Sequence, residues 1–224
     1  MMKIAGIDPS IDSTGKCIMT LDEIYNIEKV EFYGYNSVKK RCFKGNNVEV
    51  FHVGSKYKKM NMCDRQNIAY DFLKTDMFGV SYVAFEGYAY GKKITRSLVQ
   101  LGEFIGGLKK MYYDQGMGLL IYAPRMVKRF ATGDGNAEKV TMCQMFMKEF
   151  PNFYPEDFKK LPKYVDPHAD MCDAFWVAET LRCQIVYEKL GKKMLDPGIV
   201  AFLEHKSSKK TNSIIETRVI QKQN

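Results

Sequence analysis

No apolar run in this sequence approaches the roughly 20 residues a bilayer-spanning helix needs, so no such helix is expected. No leader pattern is visible either, because Met1-Met2-Lys3-Ile4-Ala5-Gly6-Ile7-Asp8 runs directly into a motif; the expectation is a cytoplasmic protein. The six cysteines (Cys17, Cys42, Cys63, Cys143, Cys172 and Cys183) form no CxxC pair and no Cys/His zinc spacing. They read as buried free thiols in a reducing compartment. No internal repeat is present. No GKS/T follows Gly133, so the glycines near residue 135 are not a Walker loop.

What is present is a mixture suited to one folded domain. The 224 residues are 46% hydrophobic and 27% charged, with a mean hydropathy of -0.32, enough to build a core in a water-soluble chain. Residues 1–190 form the expected domain, with a basic loop insertion at about 36–60. Residues 191–224 form a C-terminal extension, partly disordered because it turns polar beyond Ser207. The net charge is +8, which modestly favours a polyanionic partner. Its distribution is more informative. Lys39, Lys40, Arg41, Lys44, Lys56, Lys58 and Lys59 share one segment with Phe43, Phe51 and Tyr57, and Lys206, Lys209 and Lys210 form a second run. Lysines of the first segment are candidates for phosphate contacts, and Tyr57 for stacking on an unpaired base.

Apolar and polar patterning predicts strands at 3–8, 15–20, 30–35, 80–86 and 119–122. Helices are predicted at 63–77, 95–113, 127–131, 137–150 (capped by Asn136) and from Pro167 to about Leu190. Residues 39–59 read as a loop or flexible hairpin and 151–166 as irregular. This order predicts an α/β fold of the ribonuclease H-like kind, a mixed five-stranded sheet flanked by helices.

Four carboxylates stand out by position. Asp8 ends the first predicted strand, in Gly6-Ile7-Asp8-Pro9-Ser10, and Glu86 ends another, in Val83-Ala84-Phe85-Glu86-Gly87. An acid at a strand terminus points out of the sheet into a cleft. Asp170 and Asp173 are three positions apart and share a helix face, in what reads as the first turn of the last long helix. Each acid alone has an ordinary explanation, as a strand end or a helix start. Brought to one cleft, the four would repel unless divalent cations neutralised them. Oxygen donors select Mg²⁺, with Mn²⁺ substituting. Two such ions per site can activate water and stabilise the leaving oxygen in phosphodiester hydrolysis.

In order and spacing, these segments resemble the RuvC family of Holliday-junction resolvases. The likeness rests on Gly6-Ile7-Asp8-Pro9 with Thr14-Gly15, Val83-Ala84-Phe85-Glu86, Tyr122-Ala123-Pro124-Arg125-Met126-Val127-Lys128, Gly133-Asp134-Gly135-Asn136-Ala137-Glu138-Lys139 and Ala169-Asp170-Met171-Cys172-Asp173-Ala174. The resemblance implies metal binding by Asp8, Glu86, Asp170 and Asp173, a catalytic role for Lys139, and contact of Lys128 with the DNA backbone. It also implies a homodimer that nicks two strands of a four-way junction, with helix 95–113 in the interface. Gly102, Gly106 and Gly107 on that helix would permit close approach of another helix. Where the family pattern has an aromatic wedge three residues after the glutamate, this chain has Ala89 between Tyr88 and Tyr90, which become the candidates for contact with the junction.

Two other readings remain open on the residues alone. One is a branched-DNA-binding protein of the same fold without cleavage, although all four acid positions are filled. The other is a phosphate-loop kinase of the sugar-kinase and actin superfamily, suggested by Asp8-Pro9-Ser10-Ile11-Asp12-Ser13-Thr14-Gly15. That one lacks a second phosphate loop. His168 reads as a helix-start residue or an outer partner of the metal site rather than a ligand.

Overall fold

The computed structural model describes residues 1–37, 41–87 and 95–204, together with the backbone of 215–219. Three strands open the chain: β1 (Met2–Asp8), β2 (Gly15–Leu21) and β3 (Ile27–Asn36). A short hairpin follows, β4 (Phe43–Lys44) and β5 (Val48–His52), and then α1 (Met62–Lys74), β6 (Val80–Glu86), α2 (Arg96–Asp114) and β7 (Gly118–Tyr122). The remaining elements are α3 (Pro124–Thr132), α4 (Lys139–Glu149), α5 (His168–Lys189), α6 (Pro197–Glu204) and β8 (Ile215–Val219). No described helix is long and apolar enough to cross a membrane.

The strands form one mixed sheet in the order β4-β5-β3-β2-β1-β6-β7-β8. β1 runs antiparallel to β2 and parallel to β6, which is parallel to β7. The five expected strands make its centre, and three more extend it to eight, which corrects the five-stranded expectation. β4 and β5 escape a sequence reading because they form a short, charged edge hairpin, in which Lys44 faces Glu49 in register and pairs with it at 2.9 Å. β8 lies in the stretch read as a disordered tail. There it covers the edge of β7, with Leu119 opposite Val219.

Side chains leave the sheet alternately to two cores, as the two-residue period of a strand requires. On one face, Ile4, Ala84, Cys17 and Met19 pack with α3, α4 and α5. On the other, Ala5, Ile7, Val83 and Phe85 pack with Ala69, Leu73, Phe104 and Leu108 of α1 and α2. Helix α5 is buried from His168 through Leu181 on every side, so it shows no single apolar stripe.

Glycines set how closely α5 approaches the sheet. A Cβ at Gly6 would lie 2.3 Å from both Ala174 O and Ala178 N, and one at Gly15 would lie 2.0 Å from Asp170 O. Only a residue without a side chain permits this crossing, and the crossing brings the first turns of α5 over the carboxyl end of β1.

Two helix starts differ from expectation. Asn136 does not cap α4; its amide is taken by Asp134 Oδ1 at 2.9 Å in a tight turn, and Glu138 occupies the N-cap position. Asp173 falls beyond the first turn of α5, of which Asp170 is the acidic member.

Candidate active site

Asp8 and Glu86 end parallel neighbours. β1 and β6 pair through Ile7 and Phe85, so the two acids leave the same edge of the sheet side by side. Asp170 and Asp173 come down onto that edge from α5. One cation joins this group: Lys139 Nζ, at the start of α4, donates to Asp170 Oδ1 at 2.6 Å. It also lies 3.8 Å from Asp8 Oδ2 and 3.8 Å from Asp173 Oδ2. The structure therefore brings together the sequence-predicted Asp8, Asp170, Asp173 and Lys139. Glu86 joins them through its neighbour Asp8.

The electrostatics are those of crowded, dehydrated acids. Burial raises the Asp8 carboxyl above its ordinary value, and the Lys139 charge opposes that rise. Glu86 is pushed up to about 8 by burial and then by the Asp8 charge, with Lys128 and Lys139 opposing. Asp170 is likewise pushed to about 8 by burial and Asp8, and burial, Asp8 and Glu86 hold Asp173 well above the carboxylate range. Burial works against the Lys139 charge, but Asp8, Asp170 and Asp173 outweigh it and raise that amine. Lys128 thus sits within electrostatic reach of both strand-end acids. A group of acids raised by burial and mutual repulsion in one cleft marks a candidate functional site.

The donors fit a hard divalent cation. All four side chains offer oxygen, and among the described residues the buried Asp173 Oδ1 has no hydrogen-bond partner, a position that the cost of desolvating a carboxylate oxygen makes unfavourable without a cation.

Two nearby groups escaped the sequence reading. Asp166, half exposed, has Oδ1 3.5 Å from Lys139 Nζ. It lies in the turn just before α5 rather than on the helix, so no helical spacing pointed to it. Ser13 Oγ donates to Asp170 Oδ2 at 2.5 Å. The loop bearing Ser13 is pinned by Tyr35, whose hydroxyl donates to Ser10 O at 2.7 Å, and by Tyr57, whose hydroxyl donates to Ile11 O.

That last interaction corrects the reading of Tyr57 as a base-stacking residue. It is 1% exposed, and its ring packs beside Tyr35. Its neighbours Lys56, Lys58 and Lys59 point to solvent. Tyr88, Ala89 and Tyr90 lie outside the described residues, as do Lys39, Lys40, Lys206, Lys209 and Lys210. On α2, Gly106 faces open space, but Gly107 is closed off by Tyr70, whose hydroxyl oxygen would lie 2.1 Å from an added Cβ. His168 is not in the carboxylate cluster; its ring is buried between Tyr154, Tyr164, Cys143 and Cys172.

Neither a protein-family model nor a curated protein matches the sequence. Solved structures do match the fold. A Thermus thermophilus RuvC structure aligns with a TM-score of 0.54 at 19% identity, over 85% of this chain and 97% of that one. The fold is that of RuvC. A second structure, T. thermophilus RuvC in complex with Holliday junction substrate, aligns with a TM-score of 0.53 at 18% identity over the same shares of the two chains, 85% and 97%.

Proposed function

We propose that this chain is a divalent-metal-dependent endodeoxyribonuclease that hydrolyses phosphodiester bonds in branched DNA, the four-way junction first among them, and that it works as a homodimer. The observation that carries this reading is the convergence of Asp8, Asp170 and Asp173 around Lys139, with Glu86 beside Asp8, at one edge of a RuvC-like sheet. The T. thermophilus RuvC structure with Holliday junction substrate supports the choice of substrate.

Asp8, Glu86, Asp170 and Asp173 would hold Mg²⁺, or Mn²⁺ in its place, with two ions per site. Bound there, the cations would supply charge neutralisation at the phosphate and activation of the attacking water. The remaining work belongs to the chain. Lys139 keeps the acids together and offers a positive charge where phosphate charge develops. Ser13 fixes one oxygen of Asp170, which leaves the other to Lys139. Lys128 extends the positive field along the same edge toward the DNA backbone. The exposed Lys56, Lys58 and Lys59 add phosphate contacts further out, and Tyr88 and Tyr90 are the proposed contacts at the branch point.

The test is cleavage of labelled four-way, three-way, flap and linear duplex DNA side by side in Mg²⁺. The four-way junction is expected to be cut fastest, at paired positions. Equal attack on linear duplex would overturn the branched-DNA assignment, and no cleavage of any of them would overturn the nuclease assignment.

A further inference from the structure

Behind the carboxylates lies a second cluster that the proposed reaction does not use. Cys143 comes from α4, and His168 and Cys172 from α5, where they are four residues apart and share a face. All three are fully buried. One ring nitrogen and the two sulfurs lie within 4.8 Å of one another. Cys143 Sγ is 3.9 Å from His168 Nδ1, and Cys172 Sγ is 3.9 Å from Nε2. Zinc–sulfur bonds of about 2.3 Å and zinc–nitrogen bonds of about 2.0 Å place tetrahedral donors on the order of 3.5–3.8 Å apart. Since the two sulfurs approach different ring nitrogens, closing the set around one nitrogen takes a contraction of up to about 1 Å. The sequence hides this group because its members come from two helices, 25 positions apart between Cys143 and His168.

We propose that Cys143, His168 and Cys172 form a metal site, separate from the carboxylates, that binds one thiophilic d¹⁰ ion, Zn²⁺ or Cu⁺. Two thiolates and an imidazole are soft donors that select such ions and reject Mg²⁺, whereas the all-oxygen carboxylate cluster has the opposite preference. The hydrogen bonds show which ring nitrogen carries the lone pair. The Tyr164 amide donates to Nδ1 at 3.2 Å, so the ring proton sits on Nε2, 2.6 Å from the Tyr154 hydroxyl oxygen. An ion at Nδ1 exchanges one amide hydrogen bond for a metal bond. It leaves Tyr154 as the outer hydrogen-bond partner that orients a ligating histidine. The ion would tie α4 to α5 one turn beyond Lys139 and between Asp170 and Asp173, so it braces the proposed active site without touching substrate.

The experiment uses the full chain, kept reduced, stripped with EDTA and titrated anaerobically with Co²⁺, then with Zn²⁺ and Cu⁺ against chromophoric chelators. The expected result is a near-ultraviolet thiolate-to-cobalt charge-transfer band whose amplitude corresponds to one thiolate-bound Co²⁺ per chain, reversed by Zn²⁺ or Cu⁺. The band should be lost in Cys143→Ser and Cys172→Ser and kept in Asp173→Asn. Alkylation mapping of the wild-type chain gives the same assignment without a variant: Zn²⁺ or Cu⁺ slows labelling of Cys143 and Cys172 but not of the exposed Cys63. A wild-type chain with no thiolate band, or a band that survives both cysteine substitutions, would overturn the site. Neither result depends on whether the chain cuts DNA.

Discussion

Gly15→Ala is the substitution through which packing and site should fail together. The added Cβ would lie 2.0 Å from Asp170 O, 2.2 Å from Asp170 C and 2.6 Å from Met171 N. All three are backbone atoms of α5, so no side-chain rotation relieves the clash. The helix has to lift from the sheet by about an ångström, which places the change at the upper end of overpacking costs, about 3 kcal/mol. For a chain of this size each kcal/mol moves Tm by about 2–4 °C, so a fall of roughly 6–12 °C is expected. The helix that lifts carries Asp170 and Asp173, so Mg²⁺ affinity should fall as well. Thermal unfolding followed by circular dichroism, with Mg²⁺ titration by calorimetry at a temperature where both proteins are folded, measures the two effects. A Tm within about 2 °C of wild type would refute the close helix–sheet crossing as the basis of the site.

Two further outcomes follow from the charges. Glu86 and Asp170 titrate at about 8 when folded, against ordinary values of 4.5 and 3.8. Between those values the folded chain holds more protons than the unfolded one, so stability is full below the ordinary values and is lost as pH rises toward 8. In EDTA, Tm should be lower at pH 9 than at pH 6, and Mg²⁺ should narrow the gap; a flat or rising Tm in EDTA contradicts the repulsion described. Replacing Lys56, Lys58 and Lys59 together with alanine should weaken binding to branched DNA and flatten its salt dependence, by about 0.9 log unit per decade of salt for each phosphate that these lysines neutralise. Titration over a range of salt checks this. Unchanged affinity and slope would leave these lysines as ordinary surface.

What could be read from the sequence follows from how each element is buried. β1, β6 and β7 are parallel central strands covered on both faces, so they appear as continuous apolar runs. Two of them end in Asp8 and Glu86, which made those acids conspicuous. β5 alternates Val48 and Val50 with Glu49 in a five-residue strand next to the sheet edge, too little pattern to separate from a loop. β8 is recognised by backbone pairing to β7 rather than by its side chains. Asn136 looked like a helix cap because its type suits one, yet the preceding Asp134 takes its amide first. Tyr57 sits among lysines in sequence but turns its hydroxyl inward to hold the loop that bears Ser13. The link from Lys139 to Asp8, Asp170 and Asp173, like the grouping of Cys143 with His168 and Cys172, exists only once α4 packs on α5.

The central claim is that four carboxylates at one sheet edge perform metal-dependent cleavage. It is tested most directly by single-turnover cutting of a four-way junction in Mg²⁺ by wild type and Asp173→Asn, with junction binding measured in parallel. Cleavage should fall by about 10³-fold or more, because charge stabilisation by the metal is the main catalytic contribution, while junction affinity stays within a few-fold of wild type. Cutting by Asp173→Asn at close to the wild-type rate would contradict the account.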